Sequence, residues 1–148
     1  MLKMPVIRGL IDRRILVNYR VDPTILQRLL PSPLRPKCVN GAGVAGICLI
    51  RLRRVRPRGW PGAIGFGSEN AAHRIAVEWD EPDGTVRGGV YIPRRDSSSR
   101  LNEIVGGRIF PGVHHHARFD VHETDESLNI RITSDDEIAR CAMREKMS

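Results

Sequence analysis

Polar and apolar residues alternate with a period of two along most of this chain, the spacing of strands that bury one face. The clearest case is NAAHRIAVEWD (70–80), where His73, Ile75, Val77 and Trp79 share one face and Arg74, Ala76 and Glu78 the other. EPDG follows as a turn and TVRGGVYIP (85–93) returns from it, which predicts a hairpin. HHHARFDV, the turn ETDES and LNIRIT (128–133) predict a second, with Leu128, Ile130 and Ile132 facing inward. RRILVNYRV (13–21) and VAGICLIRLRRV (44–55) supply two more strands, and RPRGWPGAIGFG (56–67) reads as a Gly/Pro-rich loop.

Two stretches leave this period. In VDPTILQRLLP, Asp22 is placed to cap a short helix and Pro23 suits its first turn. Ile25, Leu26, Leu29 and Leu30 form its apolar face, and Pro31 stops it. SSSRLNEIVGG (97–107) predicts a second short helix, with serine at its start and Gly106-Gly107 at its stop. EIARCAMREKMS fits either a helical tail or irregular chain. The sum is a β-dominated α+β domain over residues 1–148: at least five strands and two short helices, an antiparallel sheet curled into a barrel.

Composition narrows the class. A chain of 148 residues is one domain by length, and 41% hydrophobic content belongs to a chain with a core. No apolar run approaches the roughly 20 residues of a bilayer helix, and the first residues lack the pattern of a signal peptide. No membrane partner is expected on that ground. Three cysteines at unrelated spacings favour free thiols, hence a reducing, cytoplasmic setting.

The net charge of +7 is uneven: residues 1–60 carry 13 Lys+Arg against 2 Asp+Glu, and 21 of the 24 cationic residues are arginine. A basic half suggests an acidic partner, a solvated surface, or contact with the acidic half of the same chain. LIRLRRVRPRG (49–59) puts Arg51 and Arg53 on one strand face and Arg54 and Arg56 on the other, with no aromatic residue alternating. Single-strand binders stack bases on such aromatics, so nucleic acid is not the expected partner. The run reads instead as a strand end meeting water or buried carboxylates.

Three of the five histidines are consecutive. On a strand, His114, His116, Arg118 and Asp120 point one way. His115, Ala117, Phe119 and Val121 point the other, and this apolar set should face the core. A His-x-His pair can place two imidazoles on one metal, with Asp120, His122, His73 or Glu69 as a third ligand. The spacing resembles the first motif of cupins, with Asp120 in place of glutamate and no second histidine motif. The plainer reading is partly exposed histidines beside Arg118 and Asp120.

Four segments in order carry a wider resemblance. VNYRVDPTILQRLLPSPL (17–34), FGSENAAHRIAVEW (66–79), GVYIP (89–93) and LNEIVGGRIFPGVHHHARF (101–119) resemble elements of acetoacetate decarboxylase-like proteins. The likeness is greatest to the uncharacterised bacterial YqjF-like branch and covers roughly 11–133. It implies a cone-shaped β-barrel around an apolar cavity for a small organic acid or carbonyl compound. It also implies that Glu69 matches a cavity glutamate.

The resembled decarboxylase works through a Schiff base on a lysine of depressed pKa, placed after an aromatic-Pro dipeptide. Here Phe110-Pro111 is followed by Gly112-Val113-His114, and the only lysines are Lys3, Lys37 and Lys146. Histidine and arginine cannot form the iminium, so decarboxylation by that route is not expected. The expectation is then a ligand-binding barrel with no cofactor and no assigned catalytic residue. Glu69, Arg74 and His116 line its cavity: Glu69 accepts a hydrogen bond, Arg74 pairs an anion or Glu69, and His116 exchanges a proton near neutral pH. The alternatives are a metal site of His114, His116 and Asp120, and a basic module for an acidic partner. Family members run longer, so a shortened barrel with open edges is expected, and with it a homodimer.

Overall fold

A computed structural model of the protein describes residues 6–99 and 113–146. Nine strands and one helix follow one another: β1 (Ile7–Val21), α1 (Pro23–Gln27), β2 (Arg35–Pro36), β3 (Cys38–Val39), β4 (Ala42–Pro57), β5 (Phe66–Asp80), β6 (Val86–Ser97), β7 (Val113–Glu123), β8 (Ser127–Ser134) and β9 (Arg140–Lys146). They form one sheet in the order β1-β4-β5-β6-β7-β8-β9, with β2 added to β5 and β3 to β4. Every pairing is antiparallel except β6 with β7, which is parallel. The fold is the expected β-dominated one, an incomplete barrel whose sheet curls until its two ends face each other.

The curl follows from where the apolar positions fall. Leu49 and Ala71, opposite each other on β4 and β5, pack against Ala117 of β7 and Leu128, Ile130 and Ile132 of β8. A second cluster joins Ile75 and Val77 of β5 to Leu26 and Leu30 at the helix. Burying each such aliphatic side chain contributes about 1.5–3 kcal/mol, enough to draw one sheet onto itself.

The helix begins as its cap residues dictate: Asp22 Oδ1 accepts from the Thr24 N–H at 2.8 Å and a proline occupies the first turn. Arg35 ties β2 to β5 through Glu78 and Asp80 at 2.7–3.0 Å. The two hairpins form as the alternation predicts.

Three expectations are corrected. The tail is neither helical nor irregular over 140–146; it forms β9, with Cys141 opposite Ile132 and Met143 opposite Ile130. The Gly/Pro loop is shorter than 56–67, because β4 runs to Pro57 and β5 starts at Phe66. A bulge between Leu52 and Val55 absorbs the extra length, with Arg54 at φ 53°. Gly65 makes this possible: a Cβ there would lie 2.7 Å from the Arg54 Cα. Of the second predicted helix, Ser97 ends β6 instead. Residues 100–107 lie outside the described residues.

Candidate functional site

Along the concave face of β5 the side chains read Glu69, Ala71, His73, Ile75, Val77. The three apolar members belong to the two cores. Each polar member is therefore forced to find partners among the strands that close over it.

Glu69 lies opposite Arg51 of β4, and Arg51 opposite Arg13 of β1. Glu69 accepts from Arg51 Nε at 2.6 Å and from Arg13 Nη2 at 2.8 Å. Glu123, at the end of β7, accepts from both arginines at 2.7 Å, so the cluster joins β1, β4 and β5 to β7 across the curl. Asp12 lies 3.6 Å from Arg51 and 3.0 Å from Arg53. Burial pushes the Glu123 carboxyl up, but Arg51 and Arg13 outweigh it and hold the group below its ordinary range. Burial pushes the Arg51 guanidinium down, and the two glutamates more than reverse this. Arg13 is 10% exposed, and its Nε–H has no acceptor among the described residues. A buried N–H left unpaired costs about 1–3 kcal/mol.

The second cluster forms around His73. Its Nε2 donates to Asp96 Oδ2 at 2.7 Å, and the Asp96 side chain is wholly buried. Arg94 grips Asp96 through Nε and Nη2, and Asp136 through Nη1 and Nη2. Ser134 donates to Asp136, and His115 Nδ1 lies 3.3 Å from it. Burial pushes Asp96 up, yet His73 and Arg94 hold it below the usual carboxylate range. Arg94, then Ser134, hold Asp136 well below that range. This polar seam crosses between the two apolar cores and fastens β6 to the turn after β8.

The three residues expected to share a cavity are not brought together. Glu69 sits in the first cluster. Arg74 is on the opposite face of β5 and donates to Asn18 Oδ1 at 3.1 Å, not to Glu69. His116 is on the face of β7 opposite the core residue Ala117, with Nδ1 2.8 Å from Asp135. The alternative metal set does not converge either: His116 engages Asp135, while Asp120 lies 3.2 Å from His122. Among the described residues no group of three or more His, Cys, Asp or Glu is placed to hold a metal ion. Arg13, Glu123 and Asp96 were not singled out by sequence, and Arg51 was read only as part of a basic strand end meeting water or buried carboxylates. Strand parity puts Arg13 in line with Ile15 on an inward face, and that was the available signal.

Residues 11–148 match the DUF2071 family of uncharacterized conserved proteins, and the chain belongs to that family. No match is found among curated proteins. Among solved structures the chain is similar to acetoacetate decarboxylase from Legionella pneumophila subsp. pneumophila str. Philadelphia 1, with a TM-score of 0.65 at 17% identity. The match covers 87% of this chain and 45% of that one, so this chain spans about half the length of its structural neighbour. The chain is thus a DUF2071 family member whose fold is similar to that of an acetoacetate decarboxylase.

Proposed function

We propose that the cluster of Arg13, Arg51, Glu69 and Glu123 binds a small organic acid or carbonyl compound, without forming a Schiff base. The observation that carries this reading is the buried Arg13 Nε–H, which lacks an acceptor among the described residues although its neighbouring Nη atoms are paired. A carboxylate or carbonyl oxygen supplies that acceptor, and Arg51 and Glu69 fix its orientation. The structural neighbour is a decarboxylase of a small keto acid, in keeping with such a ligand. Of the two lysines among the described residues, Lys37 lies between β2 and β3 beside Gly88, and Lys146 ends the outer strand β9. Neither stands on an element of the cluster. Of the three residues expected from sequence, the proposal retains Glu69. The free edges of β1 and β9 suit a second copy of the chain as partner.

The test is calorimetric titration with acetate, pyruvate and acetoacetate, together with borohydride treatment in the presence of acetoacetate. Binding of at least one of these, weakened at least tenfold in Arg13→Met, with no borohydride adduct by mass spectrometry, is the expected result. Silence toward all three, or an adduct on a lysine, overturns the reading.

A further inference from the structure

Four cationic residues that the cluster does not use lie at one end of the sheet, where β1 begins and β4 turns into β5. Arg8 lies opposite Arg56, and Arg54 and Arg58 flank that pair along the chain. Arg8, Arg54 and Arg58 make no ion pair among the described residues, and Arg56 donates only to the Arg54 carbonyl. The one nearby carboxylate, Asp12, is occupied by Arg51 and Arg53.

Large apolar side chains share this end. Trp60 and Ile64 of the connecting loop are 54% and 48% exposed, and Phe66, Leu10 and Ile11 are 54–62% exposed. Scattered apolar residues are ordinary on a surface; five on one end, framed by four uncommitted arginines, mark an interaction site. The loop is also built to lose water cheaply. Arg58 N–H donates to the Val6 carbonyl, Trp60 N–H to Pro57 and Ile64 N–H to Pro61. Pro57 and Pro61 have no N–H to satisfy.

We propose that this end of the half-barrel binds the surface of an anionic membrane. Trp60 and Ile64 enter the headgroup layer, and Arg8, Arg54, Arg56 and Arg58 meet the lipid phosphates. Tryptophan favours that layer, and each arginine near an anionic leaflet adds about fivefold in affinity. A nucleic acid fits less well: Trp60 and Phe66 offer two rings to its bases, but Ile64, Leu10 and Ile11 beside them would stay in water, whereas a bilayer interface covers all five. The contact needs no spanning segment: no helix among the described residues is long and apolar enough to cross a bilayer.

Co-sedimentation of the full chain tests this, with vesicles of phosphatidylcholine alone and with about 30 mol% phosphatidylglycerol. The protein should pellet with the anionic vesicles, less so as salt rises, and not with the neutral ones. Arg54→Gln with Arg58→Gln should weaken binding about thirtyfold. Trp60→Ser with Ile64→Ser should weaken it at unchanged net charge. None of the four side chains makes a hydrogen bond or ion pair among the described residues, so circular dichroism and melting should match the parent. No pelleting with anionic vesicles overturns the proposal. So does binding unaffected by both double variants, or binding to a DNA fragment in the absence of any vesicle binding.

Discussion

Asp96 shows what one residue does when no water reaches it. It keeps its charge because Arg94 and His73 both donate to it, and Arg94 is shared with Asp136. Asp96→Ala leaves two cationic or polar donors facing an apolar wall. Its expected cost is about 3–5 kcal/mol, read from urea unfolding. The same seam sets an acid limit. Asp96 and Asp136 bind protons more weakly in the fold than in the unfolded chain. Their contribution is therefore complete at neutral pH and declines as pH falls below about 4, visible as a drop in urea midpoint. Thiol reactivity should be graded too. Cys38 is exposed, Cys48 is buried, and burial pushes the Cys141 thiol up. A disulfide reagent at pH 8 (about the ordinary thiol range) should label Cys38 first and Cys48 only on unfolding. At this scale the sequence was partly legible. The resemblance singled out Glu69, and parity turned His115 inward. Neither says which strand lies opposite, so Arg13 and Glu123 as partners of Glu69 were out of reach.

Among the elements, β1 and β4 make the longest ladder, and Gly46 permits it. A Cβ at that position would lie 2.3 Å from the Val17 carbonyl oxygen, a backbone atom that cannot swing away. Gly46→Val should pry the two strands apart and lower stability by about 1–3 kcal/mol or more, with loss of the slowest-melting signal. Leu128→Ala opens the core between β8 and β4 and should cost about 2–5 kcal/mol. Both hairpins were legible, since alternation plus a polar turn specifies a local pair. β9 was not: Arg140, Arg144, Glu145 and Lys146 dilute its alternation, and only Cys141 and Met143 carry it. The parallel neighbours β6 and β7 were also hidden, because pairing across a long connection leaves no local trace.

For the molecule as a whole, the curled sheet ends in two strands with one neighbour each among the described residues, β1 and β9. Unpaired strand edges invite further pairing. Sedimentation equilibrium should accordingly give twice the chain mass of 16.6 kDa, falling to one at high dilution. The β class and the curl followed from many short alternating segments and a shortage of helical periodicity. The incomplete closure was expected as well, not from the alternation but from the resemblance to a family whose members run longer.

The join between β6 and β7 is short: four residues of each, 94–97 against 113–116, carry the whole parallel ladder. The molecule therefore consists of two leaves, β1–β6 and β7–β9, glued mainly by side chains. Such a joint can breathe while both leaves keep their own ladders, and amide hydrogens at 113–116 should exchange with deuterium before those of Leu49 and Ala71.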